Sequence, residues 1–379
     1  MILPGATLGV VGGGQLGRMF VIAAQRLGYR VVVLDPDPDS PAGRLAEVHL
    51  EADYVDRQAL DELARLCAVV TIEFENVPAE SLEHLARTCP VRPGAATVAI
   101  AQDRIREKRF LVECGLACVP FSVVHDRGDL SCALARLGGS AVLKRARLGY
   151  DGKGQARVRS IAEALAAFES FGSEPCVLEK LCVLQTEISV VLARGVDGAT
   201  VVYPAIENRH RRGILDTSLI PARAPQAVTC VAVDAAVRIA GALDYVGVLA
   251  VEFFVSNGKL LVNEIAPRPH NSGHVTLDAC VTSQFEQQVR ALCGLPLGDP
   301  ALLCPAAMTN LLGDLWTRGV PRWEAILREP RAKLHLYGKR AARPGRKMGH
   351  FTCLGDTLDE ARARALRVRQ MWWSNGEGR

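Results

Sequence analysis

Long uninterrupted apolar runs are absent from the 379-residue chain, although apolar residues make up 49% of it. No stretch approaches the ~18 consecutive apolar residues that a membrane-crossing helix needs, so no membrane partner is expected. Excess charge of either sign is scarce as well. A net balance of +4 argues against a nucleic-acid binder that works by neutralising many phosphates. The CxxC spacing is missing among the 12 cysteines, and Cys114 and Cys118 have no His or Cys partner at zinc-site spacing. Buried, reduced thiols acting as small hydrophobes are therefore expected, in a reducing cytoplasm. The opening Met1-Ile2-Leu3-Pro4-Gly5 lacks the basic n-region of a signal peptide. GxxxxGK[ST] does not occur, which disfavours a P-loop ATPase. Internal repeats and low-complexity segments are absent too.

What is present divides the chain. Its length predicts two or three α/β domains, and Pro90–Gly94 breaks the pattern between the first, 1–94, and a second, 95–295; beyond Pro296 the pattern loosens into a third, 296–379. Near the start, an apolar strand at Thr7–Val11 runs into Gly12-Gly13-Gly14-Gln15-Leu16-Gly17, a helix over Met19–Gly28 comes next, and a second strand, Arg30–Leu34, ends in Asp35. Taken literally this is a dinucleotide fingerprint with Asp35 for the ribose. A helix N-terminus behind a glycine turn also binds many other anions. The buried strand Ala68–Phe74 delivers Glu73, Glu75 and Asn76 beside that turn. Glu75 and Gln15 thus either meet one small molecule in the crevice, or Glu75 is a solvated loop acid.

Farther on, Asp103–Lys108 opens a helix whose charges read most simply as a solvated face. Arg104 is the exception, since a cation in the first turn opposes the helix dipole and hints at an anionic partner. After a strand at Ala141–Lys144 comes Arg145–Gly154, with three glycines in six residues and Lys144 and Lys153 close by. This is either a turn or a mobile cationic flap of the kind that closes over a polyphosphate. Strands at Cys176–Lys180 and Glu187–Ala193 come next, with backbone able to read an adenine edge and Glu187 able to accept from ribose hydroxyls.

Gly247–Thr276 is the centre of the chain. Two runs rich in β-branched and aromatic residues, Gly247–Val255 and Leu260–Ile265, flank Asn257-Gly258, a hairpin signal. A two-residue turn there sets Glu252 opposite Asn263, whereas a three-residue loop over Asn257–Lys259 pairs Glu252 with Glu264; the second is the predicted register. Facing carboxylates in a sheet need a proton or a cation between them, and magnesium held by two carboxylates, phosphate oxygens and water fits; on an ordinary hairpin both acids face solvent. Pro267 and Pro269 then end the strand, and Arg268, His270, Asn271, Ser272 and His274 crowd into seven positions. Arg268 suits a bidentate oxyanion, and Asn271 both donates and accepts.

Past Pro296, strands at Leu334–Lys339 and Lys347–Leu354 flank a basic loop containing Arg340, Arg343 and Arg346, and a helix over Leu358–Arg369 closes the pattern, with Trp372 and Trp373 placed to pack back on it.

Together GGGQLGRM at Gly12–Met19, IEFENV at Ile72–Val77, GYDGKGQ at Gly149–Gln155, NEIAPRPHNSGH at Asn263–His274 and RPGRKMGH at Arg343–His350 resemble the 5-(carboxyamino)imidazole ribonucleotide synthetases of the ATP-grasp superfamily, along the whole chain and in order. The resemblance implies an ATP-grasp fold with an N-terminal Rossmann-like domain and a small β-rich C-terminal domain. It implies ATP and magnesium, bicarbonate phosphorylated to carboxyphosphate, and carboxylation of the exocyclic amine of 5-aminoimidazole ribonucleotide. By the same resemblance the metal is on Glu252 and Glu264, and ATP is held by Arg104, Lys144, the flap (Gly149, Tyr150, Asp151, Gly152, Lys153, Gly154, Gln155), Glu179, Lys180, Leu181, Cys182, Glu187, His210, Asn263 and Glu264. Arg268, His270 and Asn271 then hold bicarbonate. The ribonucleotide lies against Gly14, Gln15, Leu16, Glu75 and Tyr150, with its phosphate on Lys339, Arg346, Lys347 and the amides after Gly12. A homodimer is implied too. A nicotinamide oxidoreductase built on Gly12–Gly17 and Asp35 is the alternative from another class. Formate-dependent glycinamide ribonucleotide transformylase is disfavoured by Gln15 and the Arg343–His350 motif.

Overall fold

Short β-branched runs that stop at glycine or proline turns give three sheets in the computed structural model, which describes residues 1–149 and 154–373, without the side chains of Arg318, Trp372 and Trp373. The predicted packing of the two tryptophans lies outside the described residues. The first sheet is parallel, β3-β2-β1-β4, from β1 (Thr7–Val11), β2 (Arg30–Leu34), β3 (Val48–Leu50) and β4 (Val69–Ile72). The second is antiparallel, β5-β8-β6-β7, from β5 (Phe121–Val124), β6 (Ala141–Arg145), β7 (Gln155–Val158) and β8 (Cys176–Lys180).

The third sheet runs β14-β13-β9-β11-β12-β15-β17-β16, with β10 beside β9. Its members are β9 (Thr186–Arg194), β10 (Thr200–Val202), β11 (Ile206–Arg211), β12 (Ile214–Ile220), β13 (Gly247–Ser256), β14 (Lys259–Ala266), β15 (Ala306–Leu312), β16 (Ala332–Leu336) and β17 (Lys347–Leu354). The C-terminal strands thus extend the sheet that carries the central hairpin, because β15 pairs with β12. That continuity carries Lys347, at the start of β17, to the same cleft as the hairpin acids.

One helix ties the first sheet to the third. Gln284–Cys293 buries Phe285, Val289 and Leu292 against Met19, Phe20 and Val31 of the first unit. Gln288 in it donates to Thr71 Oγ1 at 2.9 Å and accepts from the Val248 amide at 2.6 Å, joining β4 to β13. With both ends of its amide satisfied, a buried glutamine costs little and fixes one relative placement of the sheets.

The hairpin register corrects the prediction. Ser256 pairs with Lys259, so the turn has two residues, Asn257 and Gly258, both at positive φ (50° and 70°), as a type I′ turn demands. Glu252 nevertheless faces Glu264, because Phe253 pairs with Val262 and Asn263 is an inserted bulge residue. A bulge adds one residue to one strand and re-aims the side chains beyond it. The predicted pairing of the two acids therefore forms, but through a bulge and not through a three-residue loop.

All twelve cysteines are free thiols. Six are buried, and burial pushes Cys67, Cys280 and Cys353 up to about 12. The other six, Cys114, Cys118, Cys132, Cys182, Cys230 and Cys304, are at least partly exposed, so the small-hydrophobe expectation describes half of the set. Among the described residues no helix is long and apolar enough to cross a membrane.

Candidate active site

A cleft of about 1340 Å³ opens between the three sheets. Its floor is the bulged hairpin. Arg104, at the first turn of the helix Arg104–Glu113, reaches across to Glu264 (Nη1 to Oε2, 2.8 Å). Burial works against the Arg104 charge, but Glu264 and Glu107 hold its pKa above the ordinary value.

The charges at 103–108 are not a solvated face. Glu107 is 2% and Lys108 0% exposed. Glu107 accepts from the Ile265 amide at 2.6 Å, and Lys108 Nζ donates to the Asn263 carbonyl at 2.7 Å. Lys108 also lies 3.0 Å from Glu179 Oε1, and Lys144 Nζ lies 2.6 Å from Oε2 of the same carboxylate. A carboxylate between two ammonium groups is the arrangement that lets buried charge persist. Although burial alone raises Glu179, Lys144 and Lys108 bring it down to about 2. Arg104, Glu107 and Lys108 stand at i, i+3 and i+4, one helical stripe; that spacing was the available signal for a buried polar face.

Glu252 and Glu264 divide unequally. Burial and then the neighbouring Glu264 push Glu252 up to about 7, whereas Arg104 and Lys144 outweigh burial and hold Glu264 at about 2. Two carboxylates paired across strands with a single guanidinium beside one of them leave room for more positive charge. Among the described residues no three His, Cys, Asp or Glu side chains form a ready-made metal cage. Magnesium takes one or two carboxylates and completes its shell with phosphate oxygens and water, and the facing Glu252 and Glu264 are two such carboxylates.

Lys180, Leu181, Cys182 and Glu187 also line the cleft, the last paired with His210 Nδ1 at 2.6 Å. Burial pulls His210 down, but Glu187 and Glu252 raise it overall. On the wall of the same cleft Arg268 Nε holds Glu75 Oε2 at 2.5 Å; burial opposes the Glu75 charge, and Arg268 lowers it below the ordinary value. His270 Nε2 lies 3.5 Å from Glu252 Oε1, and burial with Arg268 and Lys347 takes the ring down to about 3, so it is neutral. Asn271, 6% exposed, has neither its amide nitrogen nor its oxygen hydrogen-bonded. An unpaired buried amide on a cleft wall marks a place for a polar ligand.

Gln284 holds this loop by its backbone, accepting from His270 N at 2.9 Å and donating to His270 O at 2.8 Å. A Cβ at Gly273 would meet Gln284 Oε1 at 2.3 Å. Gly273→Ala is therefore expected to cost about 1–3 kcal/mol of stability by overpacking, read by chemical denaturation, and to displace Arg268–Asn271.

Most sequence-predicted residues meet here. Gln15, Leu16, Glu75, Arg104, Lys144, Gly149, Gln155, Glu179, Lys180, Leu181, Cys182, Glu187, His210, Glu252, Asn263, Glu264, Arg268, His270, Asn271 and Lys347 line the one cleft. Gly14, Gly154, Lys339 and Arg346 are not on its wall; Lys339 Nζ stands 5.8 Å over the Tyr337 ring, and Arg346 donates to the Ala341 carbonyl. Tyr150, Asp151, Gly152 and Lys153 lie outside the described residues.

The glycine turn needs a further correction. Its amides were expected to receive the ribonucleotide phosphate, yet Gly14 N, Leu16 N and Gly17 N donate to Glu73 at 2.8, 3.1 and 3.0 Å, and Gly13 N donates to Asp35 at 2.6 Å. Glu73 fills the anion site at the helix terminus, and a Cβ at Gly14 would sit 2.2 Å from Glu73 Oε1. The glycines admit an internal carboxylate. Asp35 is equally occupied, by Gly13 N, Asp37 N and the Tyr54 hydroxyl, which removes the groups on which the nicotinamide reading rested.

Family models agree with this arrangement: a ribonucleotide synthetase preATP-grasp domain matches residues 5–102, an ATP-grasp domain 109–285, and a phosphoribosylaminoimidazole carboxylase C-terminal domain 306–364. The N5-carboxyaminoimidazole ribonucleotide synthase of Bacillus subtilis is 44% identical over 361 residues, 95% of this chain and 94% of that one. That of Brucella melitensis is 47% identical over 352 residues, 92% and 96% of the two chains. The chain belongs to the N5-carboxyaminoimidazole ribonucleotide synthase family. It is accordingly an ATP-dependent ligase of purine biosynthesis. Among solved members of the family, an ADP complex superposes with a TM-score of 0.92 at 40% identity, covering 100% of this chain and 99% of that one. The Aspergillus clavatus enzyme in complex with ADP and 5-aminoimidazole ribonucleotide gives 0.89 at 31%, covering 97% and 99%.

Proposed function

We propose that the chain carboxylates the exocyclic amine of 5-aminoimidazole ribonucleotide, using ATP and bicarbonate and releasing ADP and phosphate. The observation that carries this reading is the convergence on one cleft of the Glu179–Cys182 segment with the Glu187–His210 pair, the facing acids Glu252 and Glu264 with Lys144 and Arg104, and the Arg268–Asn271 cluster. Family membership supports it.

Glu179–Cys182, Glu187 and His210 hold the nucleoside, and Lys144, Arg104 and the flap at Gly149–Gln155 hold the phosphates. Glu252 and Glu264 hold magnesium, which supplies charge neutralisation for phosphoryl transfer. A bicarbonate oxygen attacks the γ-phosphorus and ADP leaves; the amine nitrogen then attacks the carboxyphosphate carbon, the carbon–oxygen bond to phosphate breaks, and the nitrogen releases one proton. Arg268, His270 and Asn271 hold the bicarbonate and the new carboxylate. Carboxyphosphate is short-lived in water, so solvent must be kept from the cleft until the amine has reacted. Gln15, Leu16, Glu75 and Tyr150 hold the ribonucleotide, and Lys347, with Lys339 and Arg346 in the adjoining loop, takes its phosphate.

ADP release measured with ATP and bicarbonate, with and without 5-aminoimidazole ribonucleotide, tests the reaction: ribonucleotide-stimulated release is expected, and tight NAD(P)H binding without magnesium-dependent ATP binding would reverse the assignment. Lys347→Ala should raise the ribonucleotide KM by about tenfold or more, one charge-assisted phosphate contact, with little change for ATP. Loss of ATP affinity instead would move this loop to the other end of the cleft. The enzyme works in the cytoplasm, where its unpaired thiols stay reduced, and as the homodimer that the resemblance implies, which analytical ultracentrifugation reads.

A further inference from the structure

Beneath the Arg268–Asn271 cluster the large sheet carries small polar side chains that no step above uses. Ser189 in β9, Asn208 in β11, Ser218 in β12 and Ser272 in the covering loop are each 6% exposed or less. Their hydrogen bonds join end to end. Ser218 Oγ donates to Asn208 Oδ1 at 2.8 Å, Asn208 Nδ2 to Ser189 Oγ at 2.9 Å, and Ser189 Oγ to Ser272 Oγ at 2.8 Å; Ser272 Oγ lies 2.9 Å from His270 Nδ1. The Ser272 amide donates to the same ring nitrogen at 3.3 Å.

The run has a direction, and the Asn208 amide sets it. An amide NH2 only donates, and a serine hydroxyl has one proton to give. Ser189, receiving from Asn208, therefore gives its proton to Ser272, and Ser272 gives its own to His270. A backbone N–H cannot accept, so His270 Nδ1 is an acceptor on both counts. In a neutral imidazole the ring proton is then on Nε2, the nitrogen 3.5 Å from Glu252, itself a cleft residue.

We propose that Ser189, Asn208 and Ser272 are positioning residues that lock His270 as its Nε2–H tautomer, making it a hydrogen-bond donor to the oxygens of bicarbonate and excluding it as the base that takes the amine proton. The inference rests on the placement of bicarbonate at Arg268–Asn271. Asn208→Asp is the diagnostic change, since it keeps the shape and replaces the donor with an acceptor. The run then reverses: Ser189 donates to the introduced carboxylate, Ser272 to Ser189, and His270 Nδ1–H to Ser272 Oγ at the shorter 2.9 Å contact, at the expense of the 3.3 Å contact from the Ser272 amide.

Nitrogen-15 NMR of the histidine rings in the full-length, substrate-free protein, with His270 assigned through His270→Gln, reads the tautomer directly. The parent should show Nε2 protonated and Nδ1 bare, and Asn208→Asp should exchange them. The same variant should lose about 10- to 100-fold in kcat/KM for bicarbonate, the scale of one hydrogen bond to a charged group, with KM for ATP little changed. Ser272→Ala, the second variant should Asn208→Asp not fold, removes the 2.9 Å hydroxyl contact and leaves only the long 3.3 Å amide contact on Nδ1, so an Nδ1–H fraction should appear beside Nε2–H, with Ser272→Thr restoring the parent spectrum. A bare Nε2 in the parent, or Nε2–H persisting unchanged in these variants, overturns the lock. If the tautomer exchanges but bicarbonate kinetics do not move, the lock stands and the placement of bicarbonate beside His270 fails.

Discussion

Glu264→Gln should lose on the order of a hundredfold to a thousandfold of ATP turnover while the protein stays folded. The range is that of removing one group that stabilises developing charge at a reaction centre. A neutral amide is a poor magnesium ligand, and the change also leaves Arg104 without the carboxylate it holds at 2.8 Å. The fold should survive because Glu264 is about a third exposed (34%) and the buried pairing of Lys108, Glu179 and Lys144 is untouched. Burial is the larger cause of the rise of Glu252 and stays in place, so loss of its like-charged neighbour should lower Glu252 only in part. ADP release assayed over a range of magnesium concentrations checks this, and near-normal activity at every concentration would place the metal elsewhere.

Glu179→Leu carries the largest expected cost in stability. Removing this 2%-exposed carboxylate leaves two buried ammonium groups, Lys108 and Lys144, facing one another without an anion. Breaking a buried pair from one side costs about 3–5 kcal/mol, measurable by urea denaturation. Restoring a hydrophobic shape by changing both lysines to Met as well should recover most of it. The parent protein has a matching pH dependence. Glu179 is held at about 2 in the folded state, below the ~4.3 of an unfolded glutamate. Its contribution is therefore complete above about pH 4.3 and lost as pH falls from there toward 2. The Leu variant should lack that part of the acid transition, and an unchanged acid limb would remove Glu179 from the account of acid stability.

How much was legible before the structure depends on the range of the interaction. The Asn257-Gly258 turn is a local preference, since few residues tolerate positive φ, and it formed as a two-residue turn. The cleft residues of the Asn263–His274 segment were found together because they are consecutive. In the sequence Glu107 and Lys108 look solvated, since charge is usually exposed and their partners are 158 and 155 residues away. Glu73 was placed at the right strand end but without its partners, because a carboxylate and a phosphate satisfy the same helix amides.

The amino-acid order alone determined the punctuation of the chain, the β-branched runs, the presence of a turn at Asn257-Gly258 though not its length, and the chemistry of the motifs, because each arises from preferences acting over a few neighbouring residues. Only the tertiary structure decided that Asn263 bulges so that Glu252 meets Glu264, that Glu73 caps the glycine turn, and that Lys108 is buried against Glu179. Those outcomes are choices among partners far apart in sequence, settled by which pairing leaves no buried charge or amide unsatisfied.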